Sequence, residues 1–145
     1  MLVQRALATS ILDLATKYPV VTITGPRQSG KTTLAKTVFS DHTYVSLEEP
    51  DMREFARTDP RGFLATYPAG SIIDEVQQAP DLLSYLQTLV DESRDVGQYV
   101  LTGSQHFSLA ERISQSLAGR TAVCTLLPFS IAELRGAAML PDDLD

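Results

Sequence analysis

The sequence has one cysteine, two histidines and no surplus of positive charge, and each shortage removes a class of function. A single cysteine cannot build a disulfide framework, and Cys124, inside the apolar run TAVCTLL, reads as a buried strand thiol with no assigned chemistry. His42 and His106 have no partners at metal-ligand spacing, so no transition-metal site is expected and both read as loop residues. The formal net charge of -6 argues against the clustered basic face of nucleic-acid binders, so this segment is not expected to bind nucleic acid directly. No apolar run approaches the roughly 18 residues needed to cross a bilayer. The N-terminus MLVQRALATSILDLATKY also lacks a signal peptide's order of basic, apolar and cleavage regions. The expected compartment is the cytoplasm, without a membrane partner.

What remains is a chain of 145 residues, 43% hydrophobic and 21% charged, which suits one domain with its own core. Val3, Leu7, Ile11, Leu14 and Tyr18 recur at helical spacing and predict a helix over 2–17, ended by Pro19. VVTIT (20–24) then reads as a strand buried on both faces, followed by a glycine-rich loop and a helix from Lys31 to about Phe39. Further strands are predicted at 43–47 (TYVSL), 71–74 (SIID), 98–102 (QYVLT) and 122–127 (AVCTLL). Between them fall two short helical segments punctuated by Pro50 and Pro60, a helix from Pro80 to Glu92, and a helix over 107–117 closed by Gly119. SIAELR (130–135) suits a short helix, and 136–145 reads as a tail or the start of a linker beyond a core domain of 1–135. Such alternation predicts an α/β fold: a mostly parallel five-stranded sheet with helices on both faces.

The stretch GPRQSGKTT, Gly25 to Thr33, fits G-x-x-x-x-G-K-[ST] between a strand and a helix. In such a loop glycines let backbone amides approach phosphates, Lys31 reaches the β- and γ-phosphates, and the Thr32 hydroxyl can ligate Mg²⁺. The helix that starts there adds the positive end of its dipole. Gly25, Pro26, Arg27, Gln28, Ser29, Gly30, Lys31, Thr32 and Thr33 are therefore the expected nucleotide cradle, with the role of Arg27, phosphate contact or plain loop residue, left open.

SIIDE delivers Asp74 and Glu75 to the carboxyl end of an apolar strand, where open parallel sheets place their ligands. Asp74 suits the holding of Mg²⁺ and Glu75 the general base that polarises an attacking water; the competing reading is an exposed pair of strand-end charges. The next strand exits through LTGSQ, which brings Thr102, Ser104 and Gln105 beside the acidic pair. Polar groups there can sense the γ-phosphate or position the water.

Six segments together span nearly the whole chain: GPRQSGKTTL, YVSLEEPDMREFARTDPRGFL, IIDEVQQAPDLLSYLQTLVDE, YVLTGSQHF, SLAGR and LLPFSIAEL. On these, the sequence resembles a family of bacterial and archaeal AAA+-type P-loop ATPases whose longer members join this domain to a C-terminal domain of poorly assigned function. The resemblance implies a three-layer P-loop NTPase with sheet order 5-1-4-3-2, since one strand separates the phosphate loop from the acidic strand. It implies ATP as the nucleotide, Mg²⁺ contact at Thr32 and Asp74, and hydrolysis assisted by Glu75 and Lys31. Ser104 or Gln105 would be the sensor. Arg120, between the helix of 107–117 and the last strand, falls where AAA+ ATPases often carry an arginine finger acting on a neighbouring subunit, with Arg112 as the alternative. A helix-terminal cation is the plain reading of Arg120.

Two functions follow. One is Mg²⁺-dependent ATP hydrolysis that drives or regulates an attached domain or partner. The other is a nucleotide-dependent binding module with little turnover, favoured because the sequence matches neither the helical lid usual in AAA+ proteins nor the family's C-terminal domain. A small-molecule kinase fits less well, since the acidic pair and polar sensor suit water as acceptor, and no [NT]-K-x-D stretch follows for guanine.

Overall fold

VVTIT, SIID and YVLTG carry bulky or β-branched residues on both faces, and they form the three central strands of a sheet covered on both sides. The computed structural model of the protein describes residues 2–26, 29–104 and 107–126. The strands are β1 (Val20–Thr24), β2 (Thr43–Ser46), β3 (Ser71–Asp74), β4 (Tyr99–Gly103) and β5 (Thr121–Thr125). All neighbours pair in parallel, in the order β2-β3-β4-β1-β5, which is the expected 5-1-4-3-2 order read from the opposite edge. Every residue of β1, β3 and β4 is buried, whereas the edge strands β2 and β5 are partly exposed. Cys124 is consequently half-buried rather than buried, because β5 lies at an edge.

Side-chain alternation along each strand divides the core in two. Val21, Ile23, Ile72 and Val100 face one side, where Ile11 of α1 (Leu2–Ala15) and Leu34 and Ala35 of α2 (Lys31–Val38) pack on them. Val20, Ile73, Tyr99 and Leu101 face the other side. There they meet Ala56 of α3 (Pro50–Thr58), Phe63 of α4 (Pro60–Thr66), Leu86 of α5 (Leu82–Ser93) and Ile113 of α6 (Phe107–Leu117). The predicted short helix at 130–135, the tail at 136–145, and Arg27, Gln28, Gln105 and His106 lie outside the described residues.

Boundaries differ from the expected ones at a few ends. The first helix stops at Ala15, where the Thr16 hydroxyl donates to the Asp13 carbonyl at 2.6 Å and turns the chain toward Pro19. β4 starts one residue later than predicted, since the Gln98 side chain is engaged with the turn before it, donating to the Asp95 carbonyl at 2.7 Å. His42 sits between α2 and β2 with its ring centroid 5.1 Å from that of Phe39.

Because every strand is parallel, the carboxyl ends of all five share one edge. Thr24 is level with Gly103 and with Thr125, and Ser46 with Asp74. The amide of Gly25 donates to the Gly103 carbonyl at 3.1 Å, which fastens the start of the phosphate loop to the end of β4. A groove of about 680 Å³ opens between α4 and α5, lined by Leu64, Tyr85, Leu89, Gln98 and Tyr99. It lies at the opposite edge, away from the conjunction of loop and carboxylates.

Candidate functional site

The phosphate loop leaves β1 at Gly25, where a side chain has no room: a Cβ would lie 2.8 Å from Ser29 Oγ and 3.0 Å from the Leu126 carbonyl oxygen. Gly30 caps α2 with φ of 86°, the left-handed region that glycine enters at little cost. The helix therefore begins at Lys31, whose side chain is only 4% exposed despite its charge. Thr33 faces solvent.

Strand alternation sets Asp74 on the same face as Ile72, toward α2. There Thr32 Oγ1 donates to Asp74 Oδ1 at 2.9 Å and the Tyr44 hydroxyl donates to Oδ2 at 2.7 Å. Thr102 Oγ1 also donates to Asp74 Oδ1, and the same hydroxyl oxygen accepts the Glu75 amide at 3.0 Å. Hydroxyl donors of this kind fix the plane of the carboxylate.

Glu75 ends β3 in the left-handed region, with φ of 59° and ψ of 55°. A non-glycine residue held there costs on the order of 1 kcal/mol, and such strain gathers at functional sites. The turn brings its carboxylate to the phosphate loop, where Lys31 Nζ lies 3.3 Å from Oε2. The other oxygen, Oε1, accepts from Gln77 Nε2 at 2.9 Å, and Gln77 Oε1 accepts the Ser104 amide at 3.2 Å. One edge of the sheet thus gathers the expected Gly25, Pro26, Ser29, Gly30, Lys31, Thr32, Asp74, Glu75 and Ser104.

The residues present fit a metal nucleotide. Ser29 Oγ and Ser104 Oγ are buried without a hydrogen-bond partner among the described residues. Thr32 and Asp74 offer adjacent hard oxygen donors. No group of three or more His, Cys, Asp or Glu suited to a metal occurs among the described residues.

Arg120 stands apart. It immediately precedes β5, so its backbone lies at the amino edge of the sheet, roughly 16 Å of strand from the phosphate-loop edge. Its Nε and Nη2 grip Asp91 Oδ1 and Oδ2 of α5 at 2.7 and 2.8 Å. That hydrogen bonding holds the Asp91 carboxyl below the usual carboxylate range. Arg112, the alternative candidate, pairs with Asp81 just before α5.

Sequence reasoning missed Tyr44 and Gln77 as members of the site. It set Thr102 beside the acidic pair, but not as the hydroxyl that donates to Asp74 and accepts the Glu75 amide. Tyr44 had no signal, because its reach to Asp74 depends on the β2-β3 register, in which it sits level with Ile72.

Burial, then the hydrogen bond to Asp74, pushes the Tyr44 phenol up to about 12, and burial does the same for Tyr99. A phenol raised above its ordinary value near 10 favours the folded state while protonated. That contribution is complete below pH of about 10 and is lost as pH rises through about 12. Stability is therefore expected to fall across that window. Urea midpoints measured from pH 9 upward should show a smaller alkaline loss in Tyr44→Phe and in Tyr99→Phe than in the parent.

Among the described residues, no helix is long and apolar enough to cross a membrane. Residues 17–135 match the family described as AAA domain. The uncharacterized proteins Rv2008c of Mycobacterium tuberculosis and Mb2031c of Mycobacterium bovis are each 33% identical to the chain over 140 residues, covering 95% of it and 32% of their own length. The chain spans about a third of the curated relatives it matches. Among solved structures, the P-loop NTPase domain of the E. coli sigma-54 transport activator is similar with a TM-score of 0.53 at 12% identity, covering 83% of this chain and 93% of that one. C. elegans PCH-2 is similar with a TM-score of 0.52 at 13% identity, covering 99% of this chain and 49% of that one. At such identities the likeness is one of fold, and it agrees with the sheet order and the phosphate loop. A match across most of the chain, carried on that fold, means that the chain belongs to the AAA domain family of AAA+-like P-loop NTPases.

Proposed function

We propose that the chain binds Mg-ATP at the carboxyl edge of its sheet and hydrolyses it, passing the resulting change to an attached domain or partner in the cytoplasm. The observation that carries this reading is the Glu75 carboxylate, turned by a left-handed backbone to within 3.3 Å of Lys31 Nζ, next to an Asp74 held by Thr32. Lys31 and the backbone N–H groups of the loop from Gly25 to Thr33, Pro26 excepted, would hold the phosphates, and Thr32 with Asp74 would hold Mg²⁺. The bound ion would neutralise phosphate charge as the γ-phosphoryl group leaves. Once Lys31 turns to phosphate, Glu75 has an oxygen available to take the proton of an attacking water. Ser104, whose hydroxyl has no other described partner, or Gln105 contacts the γ-phosphate.

Phosphate release from ATP, dependent on Mg²⁺ and abolished by EDTA, tests this reading. Saturable nucleotide binding with no phosphate released above a protein-free control would favour the second reading, a binding module with little turnover. The Lys31–Glu75 pair supports that alternative, since it occupies the base and the phosphate-reading ammonium with each other.

Arg120 is proposed to complete the site of a neighbouring copy. Its place at the amino edge is too far to serve its own phosphate loop, and its guanidinium would have to leave Asp91 to do so. Turnover per subunit is then expected to rise with protein concentration, and this rise to disappear in Arg120→Ala. Asp91→Ala, which unties the guanidinium, should move the rise to lower concentration. Specific activity independent of concentration from dilute to high protein would remove Arg120 from the mechanism.

A further inference from the structure

We infer that Gln77 is a positioning residue that ties the Glu75 carboxylate to the backbone of residue 104, so that the acidic turn and the exit of β4 move as one unit. The amide of Gln77 bridges two groups that directly follow different strands, Glu75 after β3 and Ser104 after β4. Its Nε2 donates to Glu75 Oε1 at 2.9 Å, and its Oε1 accepts the Ser104 N–H at 3.2 Å. The partners fix its orientation: a carboxylate only accepts and a backbone N–H only donates, so a flipped amide would oppose like groups at both ends.

The surroundings hold Gln77 in place. It occupies a 3₁₀ turn, Val76–Gln78, that begins at the left-handed Glu75. Val76 is fully buried in the core on one side of this turn. On the other, the Gln78 carbonyl accepts from Arg57 Nε at 2.6 Å and Gln78 Nε2 donates to Glu48 at 3.2 Å, both anchoring the turn toward α3. Across from it, Gly103 leaves the space the amide uses, since a Cβ there would lie 3.1 Å from Gln77 Oε1 and 2.6 Å from Leu109 Cδ2. The glycine of LTGSQ therefore has a packing reason that no phosphate contact supplies.

The two oxygens of Glu75 thus answer to two different elements. Oε2 faces Lys31 of the phosphate loop, and Oε1 is held through Gln77 to the β4 exit. When Lys31 engages phosphate, Gln77 is the described side chain that still orients the carboxylate. A movement at residue 104, whose own hydroxyl is buried and unpartnered among the described residues, passes through its N–H to Gln77 and so to Glu75. The kinetic consequence rests on the hydrolytic reading above; the tie itself does not.

The experiment combines amide NMR of the whole chain with steady-state Mg-ATP kinetics on Gln77→Ala and Gln77→Glu. Glu75→Gln is expected to shift the Ser104 amide resonance in the parent and to leave it unmoved in the Gln77→Ala background. Gln77→Ala should lower kcat about 10- to 100-fold, the scale of a misplaced reacting group, with KM and nucleotide affinity little changed. Combined with Glu75→Gln it should add no further loss. Gln77→Glu keeps an acceptor for Ser104 but sets a second carboxylate against Glu75, so kcat falls while the Ser104 amide stays hydrogen-bonded. A Ser104 resonance indifferent to Gln77→Ala would overturn the tie, as would equal losses of kcat and affinity, or additivity with Glu75→Gln. If the NMR coupling is present but the parent releases no phosphate, the hydrolytic reading fails and the tie stands.

Discussion

Glu75→Gln is expected to lower the turnover of Mg-ATP about 100- to 10,000-fold while leaving nucleotide affinity within a few-fold of the parent. The substitution keeps the shape of the side chain and removes the ability to take a proton from water. Its amide oxygen can still accept from Lys31 Nζ, now 3.3 Å from Oε2, so the buried ammonium keeps a partner. The amide nitrogen has no such welcome at Gln77 Nε2, which donates to the present Oε1. Placing the new oxygen toward Gln77 or toward Lys31 is a choice the carboxylate never faces, and a modest loss of stability is expected with it. The diagnostic is the split between binding and chemistry: fluorescent-nucleotide titration should change little, and phosphate release should fall to near background. Equal turnover in parent and variant would remove Glu75 as the base and leave the acidic turn a structural feature.

Lys31→Met should damage two properties at once. Nucleotide affinity is expected to fall about 10- to 100-fold, the equivalent of one charge-assisted hydrogen bond of about 1.5–3 kcal/mol. Without nucleotide, stability should also fall. The side chains of Lys31 and Glu75 are 4% and 12% exposed, and removing the ammonium leaves a carboxylate in a dry site with Gln77 as its described hydrogen-bond partner. Breaking one side of a buried pair costs about 3–5 kcal/mol. For a chain of this length that is a fall in melting temperature of roughly 10–20 °C. The double variant Lys31→Met with Glu75→Gln should recover much of this, because no unpaired charge is left to desolvate. Thermal melts of the four proteins in nucleotide-free buffer test the cycle. A Lys31→Met protein as stable as the parent would mean that the pair contributes nothing to the fold, and that the conserved volume of the aliphatic stem is what the site needs.

The predictions differ in what the letters could have supplied. For Lys31 and Glu75 the proposed roles rest on GPRQSGKTT and SIIDE, because a phosphate loop is a local object: its spacing, its glycines and the helix after it are contiguous in the chain. The fold was readable for the same reason. Apolar five-residue runs separated by helical spacings admit few arrangements once crossovers must be right-handed and parallel strands need cover on both faces. The exposure of Cys124 was not readable, since whether AVCTLL sits at the centre or edge of a sheet is settled by partners far away in sequence.

The roles of Tyr44, Thr102 and Gln77 required contacts between strands. Tyr44 and Asp74 are 30 residues apart and meet because β2 and β3 pair level at Ser46 and Asp74. Thr102 serves both members of the acidic pair because β4 lies beside β3, not beside its sequence neighbour β5. Arg120 shows the limit most plainly: adjacency to the last strand was legible, but not that the strand's direction carries it to the edge opposite the phosphate loop, into the grip of Asp91.

The sequence by itself determined the phosphate-loop motif, the two carboxylates at the end of the third strand, the alternation of strands and helices, and the family resemblance, all of which are written in short stretches whose chemistry depends on near neighbours. Only the tertiary structure decided which hydroxyls hold Asp74, which amide orients Glu75 and which edge Arg120 occupies. Hydrogen bonds of about 3 Å are fixed by strand register and direction, and those are properties of the folded sheet that no single segment specifies.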